Sequence, residues 1–208
     1  DPRFSLTWGH LSLASRPLWT RPDRYYGAHT VAMVPLFAEG PGAEYATSTR
    51  DNAELGRALL KLVKMDGAPR YQRALEDGQP PKNVILMIGD GMGVNAMTFG
   101  TYLHGELTMT QLPVQGLVST HGTNVVVNDS AATATALSTG HRTRKKSVGM
   151  KVTNGELEPA TTILEAAEAR GIQTGLVSST QLTHATPAAF YAHVDQRRKR
   201  NEIAAAFV

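Results

Sequence analysis

The chain has 208 residues, of which 41% are hydrophobic and 19% are charged, and its formal net charge is +3. This composition argues against a disordered chain and is typical of a globular protein with one sizeable core or at most two small ones. The absence of cysteine excludes disulfides and thiolate metal sites, so a metal would need carboxylate, histidine or hydroxyl ligands. No apolar run approaches the roughly 20 residues of a membrane span. No leader sequence is recognisable, which indicates a cytoplasmic, processed or incomplete chain.

The first predicted elements are a strand and a helix. Residues 31–37 are apolar and predict a strand, which Pro35 places at the edge of a sheet or at a strand end. Asp51 or Asn52 can cap a helix that continues through Val63, because apolar residues then recur at helical spacing.

A connector and a strand follow. Residues 66–82 are rich in glycine and proline and predict a connector. Residues 84–88 are continuously apolar, as expected of a central parallel strand. Asp90 would stand at the carboxyl end of that strand, where a hard cation could bind it. Alternatively, residues 91–96 fit a loose G-x-G-x-x-A dinucleotide fingerprint, although the acidic residue expected further along is not convincingly placed.

The chain then alternates between predicted helices and strands. Helices are predicted over residues 94–104 and 161–169, and strands over residues 115–120, 125–127 and 172–177. This alternation predicts an α/β fold, a three-layer sandwich with a mostly parallel central sheet. Functional groups are expected at the carboxyl ends of its strands.

Residues 128–140 place a serine directly before a run of small residues. Alanines favour a helix here, and either Asp129 or Ser130 could cap its first turn. One interpretation is a capped helix that packs closely on a neighbour. The other is a nucleophilic serine at the positive end of a helix, which would need a base or a metal ion to activate it.

Residues 178–187 contain several hydroxyl groups and His184 directly after a predicted strand. They form either part of a site or a polar loop that caps the next helix. Arg197 follows closely, and its planar guanidinium suits bidentate binding of a phosphate. The basic run at residues 197–200 has no interleaved aromatic residues, so we expect a solvated face and no specific nucleic-acid partner.

Four segments in this order resemble the alkaline phosphatase family: residues 82–93, 129–134, 184–189 and 192–197. The resemblance implies an alkaline-phosphatase-like fold and hydrolysis of small phosphate monoesters. In that family a serine is phosphorylated and then dephosphorylated at a site with two zinc ions and one magnesium ion.

The resemblance assigns roles to four residues around the phosphate. Ser130 matches the nucleophile, and Arg197 matches the arginine that grips the phosphate. Asp129 matches the residue that orients this arginine. Ala131 is expected to contribute to phosphate binding beside Ser130.

The resemblance also implies metal ligands. Asp90 matches the aspartate that bridges zinc and magnesium, Thr186 matches a magnesium ligand, and His184 stands near the magnesium; Ser130 would itself contact zinc. Residues 28–65 resemble the family's C-terminal segment, in which His29 would bind zinc, although a lone structural histidine is the alternative. In the family this segment follows the serine. Its early place here indicates a circular permutation, a rearranged gene product or a joined partial chain.

The family segment that carries the remaining metal ligands has no counterpart in this sequence. The alternative function is therefore a catalytically incomplete phosphate- or partner-binding remnant of the same fold. We expect one α/β domain over residues 1–208, with the C-terminal-type segment at 1–65, the connector at 66–82 and the nucleophile-bearing part at 83–208. The resemblance implies a periplasmic or secreted location and allows a homodimer.

Overall fold

The computed structural model describes residues 32–40, 42–43, 47–64 and 83–207. The elements are, in chain order, β1 (Val34–Ala38), β2 (Ser48–Asp51), α1 (Asn52–Lys64), α2 (Val94–His104), a short 3-10 helix (Thr108–Gln111), β3 (Val114–Ser119), α3 (Ser130–Thr139), β4 (Met150–Thr153), β5 (Glu156–Pro159), α4 (Ile163–Glu168), α5 (Ala185–Ala188) and α6 (Arg200–Ala205). No helix among these residues is long and apolar enough to cross a membrane.

Two strands from the early part of the chain and one from its middle form a small mixed sheet. Its order is β1-β3-β2, with β1 antiparallel and β2 parallel to β3. Pro35 pairs with Leu117 on the edge strand β1, where its missing N–H is tolerated, so the predicted edge position is confirmed. Because this sheet contains one parallel pair, the three-layer sandwich with a mostly parallel sheet stays a prediction.

Two predicted buried strands are wrong. Residues 84–88 and 172–177 belong to no sheet, and Ile85 and Met87 are 85% and 89% exposed. A parallel strand needs hydrogen-bonded neighbours and covered faces, and no described segment supplies them here. Leu86 and Leu176 alone from these runs pack against a core cluster. An apolar run therefore did not suffice to define a strand.

The predicted strand at residues 125–127 is also wrong, whereas a hairpin was missed. The Gly122 N–H donates to the Val125 carbonyl at 2.9 Å, which closes a local loop. The hairpin pairs β4 with β5 around Asn154 and Gly155, whose φ angles are 51° and 86°. An Asn-Gly pair between two strands is a strong sequence signal for such a turn.

The predicted helix after Asp51 is confirmed as α1, and Asp51 is its cap. Its Oδ1 accepts from Ala53 N at 2.9 Å. Its Oδ2 accepts from the Arg142 guanidinium, with a Nε distance of 3.0 Å, and from the Ser119 hydroxyl at 3.3 Å. Burial would raise the pKa of Asp51, but the Arg142 and Ala53 hydrogen bonds outweigh it and lower this pKa. Asp51 therefore ties the early segment to the later part of the chain.

Helix α1 packs very closely on helix α3. A Cβ added to Gly56 would overlap the Ala136 carbonyl oxygen and lie 2.7 Å from that of Leu137. Arg57 donates from Nη1 to the carbonyl of Gly140, the left-handed C-cap of α3, at 2.7 Å. Free carbonyls at a helix end favour such a cationic donor.

Helix α3 lies in a core made of small residues. Its alanines pack with Val148, Val194 and Ile203 and with the alanines of α5. A second cluster contains Leu55, Leu59, Val118, Ile163 and Phe190. Small side chains allow backbones to approach closely, so α3 is held rigidly from several sides.

The remaining predicted helices are confirmed with small shifts of their ends. The helix predicted at residues 94–104 is α2. The one predicted at 161–169 is shorter, because Thr162 caps α4 in a reciprocal capping box with Glu165. Gly171, which has a φ of 72°, then turns the chain away. The strand predicted at residues 115–120 is β3, shifted by one residue.

Candidate active site

Ser130 is the first residue of α3, and Asp129 is the cap. Asp129 Oδ1 accepts from Ala132 N at 3.3 Å, so the structure selects Asp129 over Ser130 as the capping residue. The Ser130 hydroxyl is therefore not used for capping. It lies at the helix end where backbone N–H groups have no intrahelical acceptor and where the macrodipole favours negative charge.

Arg197 contacts both Ser130 and Asp129. Its Nη1 donates to Ser130 Oγ at 2.9 Å and to Asp129 Oδ2 at 3.1 Å, and its Nη2 lies 3.4 Å from His184 Nε2. The Asp129 side chain is 7% exposed and that of Arg197 is 23% exposed. A largely buried carboxylate thus fixes the guanidinium against the serine hydroxyl.

Backbone hydrogen bonds position the segment that carries Arg197. Arg197 N donates to the Lys146 carbonyl at 2.8 Å, and Val194 and Val148 exchange two hydrogen bonds of 2.9 Å. Lys146 N donates in turn to Asp129 Oδ1 at 3.1 Å. Residues 146–148 therefore connect the helix cap to the arginine. Lys146 was not predicted from the sequence.

Gly149 lets these elements meet. Its φ is 60°, and a Cβ there would overlap the Ala192 carbonyl oxygen and lie 2.9 Å from His193 Nδ1. Its N–H donates to the buried Thr135 hydroxyl of α3 at 2.9 Å. The same glycine thus joins α3 to the segment that leads to Arg197.

His193 adds a further link beside Gly149. Its Nδ1 lies 2.7 Å from the Gly149 carbonyl, and its Nε2 lies 2.8 Å from Glu165 Oε1. Burial would raise the pKa of Glu165, but hydrogen bonds from Thr162 N–H and His193 outweigh it and lower this pKa. Glu165 therefore anchors the histidine to the start of α4.

Asp90 and Thr186 form a second polar contact. The Thr186 hydroxyl donates to Asp90 Oδ2 at 2.6 Å. Asp90 lies in a tight turn, closed by a 3.0 Å hydrogen bond from Met92 N to the Gly89 carbonyl. Thr186 lies on α5, and His184 is the residue directly before this helix. The same short segment therefore contacts Asp90 through Thr186 and Arg197 through His184.

A cavity of about 310 Å³ opens beside Arg197. Its walls are formed by Asp129, Lys146, Thr183, His184, Arg197, Arg198 and Arg200. This volume is at the small end of the range for ligand pockets. Four of the seven residues are cationic, so the cavity favours an anion.

The profile of the family described as Alkaline phosphatase matches residues 81–207, more than half of the chain. The chain belongs to the alkaline phosphatase family. Two of its relatives carry that name: Alkaline phosphatase 4 of Drosophila melanogaster is 36% identical over 158 residues, and the alkaline phosphatase of Escherichia fergusonii is 36% identical over 180 residues. Streptomycin-6-phosphate phosphatase of Streptomyces griseus is 40% identical over 159 residues.

These matches cover most of this chain and a minor part of each relative. They cover 68%, 76% and 71% of this chain but 26%, 37% and 34% of the respective relatives. The solved alkaline phosphatase from the Antarctic bacterium TAB5 is 39% identical and matches with a TM-score of 0.54 over 61% of this chain and 36% of its own. The described part of the chain therefore has an alkaline-phosphatase-like fold.

Alkaline phosphatase family membership implies metal cofactors, and the described residues fit them in part. Asp90 and Thr186 offer oxygen ligands of the kind that a hard cation such as magnesium prefers. Within the described ranges, however, no group of three or more His, Asp or Glu residues could hold a metal. Zinc sites normally take at least three protein ligands. His29 lies outside the described residues.

The structure thus brings together part of the predicted site. Ser130, Asp129, Arg197 and His184 form one cluster, beside Ala131, which is fully buried. Asp90 and Thr186 contact each other but do not line the cavity. Their catalytic roles stay predictions.

The dinucleotide interpretation of residues 91–96 lacks its structural context. Such a fingerprint follows a strand and opens a helix. Here α2 does begin at Val94, but residues 84–88 before it belong to no sheet.

Proposed function

We propose that the protein hydrolyses phosphate monoesters through a phosphoserine intermediate at Ser130. The observation that carries this proposal is the pair of hydrogen bonds from Arg197 Nη1, to Ser130 Oγ at 2.9 Å and to Asp129 Oδ2 at 3.1 Å. A serine at a helix N-terminus, in contact with a fixed guanidinium, suits attack on a phosphoryl group.

In the first step Ser130 Oγ attacks phosphorus while the bond to the leaving alcohol breaks. The serine proton is released, and the departing alkoxide takes up a proton to become the free alcohol. Arg197 holds equatorial phosphoryl oxygens as negative charge shifts among them. Asp129 keeps the guanidinium in place. The N–H of Ala131, in the first turn of α3, adds a donor.

In the second step a water molecule attacks the phosphoserine from the side that the alcohol has left. The bond between phosphorus and Ser130 Oγ breaks, the serine regains a proton, and inorganic phosphate is released. Arg197 binds the same equatorial oxygens in both steps, so one fixed arginine serves both transfers.

We further propose that zinc and magnesium assist this reaction, as family membership suggests. Asp90, Thr186 and His184 would hold magnesium. His29 and Ser130 would contact zinc, and Asp90 would contact zinc as well. Bound divalent metals lower the pKa of an oxygen nucleophile and stabilise a leaving oxygen. The oxygen pair of Asp90 and Thr186 supports this assignment. We also propose a periplasmic or secreted location and a homodimer.

A second candidate function is phosphate or partner binding without turnover. It is favoured because the described residues contain no group of three or more metal-ligating side chains. Elemental analysis separates the candidates: about two zinc ions per chain would favour the enzyme. A metal-free protein that binds inorganic phosphate would favour the remnant.

The proposal is tested by Ser130→Ala, assayed with p-nitrophenyl phosphate at alkaline pH in the presence of zinc and magnesium. Turnover should fall by at least about 1,000-fold, as expected for loss of a nucleophile. Thr98→Ala is the control, because this exposed hydroxyl donates to the Val94 carbonyl within its own helix. Unchanged turnover in Ser130→Ala would contradict the assignment.

A further inference from the structure

The cavity beside Arg197 carries more positive charge than a single phosphoryl group needs. It is lined by the cationic side chains of Lys146, Arg197, Arg198 and Arg200, and Asp129 is its single carboxylate. Asp129 is already the acceptor of Arg197, so these two charges offset each other. The other three cations remain to be balanced.

No carboxylate in the described part of the chain pairs with Lys146, Arg198 or Arg200. Arg200 Nη1 lies 3.4 Å from Gln181 Oε1, which is a neutral amide oxygen. All three residues are exposed, and cations that line one cavity raise the local concentration of anions. These three cations are therefore suited to hold an anion from the solvent.

The backbone of Lys146 is held in an uncommon conformation. Its φ is 76°, a left-handed conformation that is unfavourable for a non-glycine residue and persists where the surroundings impose it. Two hydrogen bonds constrain it: the Lys146 N–H donates to Asp129 Oδ1, and the Lys146 carbonyl accepts from Arg197 N. The groups that fix the phosphate-gripping arginine therefore also fix the position of Lys146.

Lys199 differs from its two arginine neighbours in where its charge is placed. It lies between Arg198 and Arg200 but does not line the cavity. Its Nζ pairs with Asp195 at 2.9 Å and with Glu202 at 3.6 Å. The two arginines thus face the cavity, while the lysine between them is neutralised elsewhere.

We propose that this site takes phosphomonoesters whose leaving group carries a second anionic group, such as another phosphate, which Lys146, Arg198 and Arg200 bind. This inference rests on the proposed function for the reacting phosphoryl group at Ser130 and Arg197. A leaving group without an anionic group would gain nothing from these cations, whereas a second phosphate would form charge-assisted hydrogen bonds with them.

The binding test uses Ser130→Ala with zinc and magnesium, titrated by calorimetry with adenosine 3′,5′-bisphosphate and with AMP. The bisphosphate should bind about 10-fold more tightly, since each exposed ion pair contributes up to about five-fold. The double substitution Arg198→Gln and Arg200→Gln should remove most of this preference, leaving the contribution of Lys146. Lys199→Gln, which removes one charge from the same stretch, should leave it unchanged. Raising the salt concentration should weaken the preference.

Equal affinity for the two ligands would overturn the inference. A loss in Lys199→Gln of half that in the double variant or more, on the logarithmic scale, would also overturn it, because net charge alone would then explain the effect. Turnover by the protein with Ser130 intact tests the proposed function separately. Tighter bisphosphate binding without hydrolysis would contradict the enzyme and keep the anion site. Hydrolysis of both ligands with equal kcat/KM and equal affinity would support the enzyme and contradict the anion site.

Discussion

The contact between α1 and α3 predicts opposite effects for the same substitution at two helical glycines. Gly56 lies in α1, and Gly100 lies in α2. In an open helix, Gly→Ala stabilises by roughly 0.5–1 kcal/mol because alanine loses less backbone freedom on folding. A Cβ at Gly100 would meet Leu107 at 3.4 Å, an ordinary contact. Gly100→Ala should therefore raise the free energy of unfolding by that amount.

Gly56→Ala should lower the free energy of unfolding. Its Cβ would overlap the Ala136 carbonyl oxygen and lie 2.7 Å and 2.9 Å from Leu137 O and Gly140 N. All three are backbone atoms, which cannot rotate away as a side chain could, so α1 must move off α3. Overpacking of this kind costs typically 1–3 kcal/mol, which exceeds the gain in helix propensity. We expect a net loss of about 1–2 kcal/mol.

Urea unfolding followed by circular dichroism measures both variants against the unaltered protein. Thermal melts should show shifts of about 2–4 °C per kcal/mol, downward for Gly56→Ala and upward for Gly100→Ala. If both variants were stabilised equally, α1 would not pack on α3 as described. Helix α1 would then not support helix α3, which carries Ser130.

Three further predictions concern the cap, the docking carboxylate and the metal. Thr162→Ala should lose about 1 kcal/mol of unfolding free energy as a helix cap. Asp129→Ala should lose more, because its buried carboxylate also accepts from Arg197 and from Lys146 N. Of the two, Asp129→Ala alone should lower kcat, at least about 10-fold, and equal kcat losses would contradict its contact with Arg197. Asp51→Asn should cost about 2 kcal/mol at pH 7. The folded pKa of Asp51 lies below its ordinary value of 3.8. The stabilisation by its carboxylate is therefore present above that value and is lost as the pH falls through the folded pKa. The free energies of unfolding of the variant and of the unaltered protein, measured with urea, should consequently converge in acid. EDTA should abolish p-nitrophenyl phosphate hydrolysis and zinc with magnesium should restore it, whereas full activity in EDTA would contradict metal assistance.

Local signals in the sequence were sufficient for the helices. The small residues after Asp129, the cap before Asn52 and the periodicity of residues 94–104 each depend on neighbours a few positions away. The resulting helices α3, α1 and α2 begin where these signals place them, within one residue. Helix propensity and capping are short-range effects, so they are readable from one sequence.

The strand predictions were wrong where a strand forms only if another strand pairs with it. The apolar pattern of residues 84–88 is the same whether or not a neighbouring strand covers it, and no described strand does. The hairpin of β4 and β5 was readable from Asn154 and Gly155 but was overlooked. Strand formation depends on long-range pairing, whereas a tight turn leaves a local signal.

Part of the site could not be predicted from local patterns. The resemblance to the family supplied Ser130 and Arg197, and their contact requires Lys146 in a left-handed conformation that no local pattern indicates. Gly149 carried a weak signal, since an isolated glycine between apolar residues often marks a close backbone approach. The positioning groups are fixed by tertiary contacts rather than by neighbouring sequence.

The most direct measurement is mass spectrometry of the acid-quenched protein after incubation with p-nitrophenyl phosphate, zinc and magnesium. The account predicts one added phosphoryl group on the proteolytic peptide that contains Ser130, and none on that peptide from Ser130→Ala. A phosphoryl group on another residue, or turnover with no phosphorylated peptide, would contradict it.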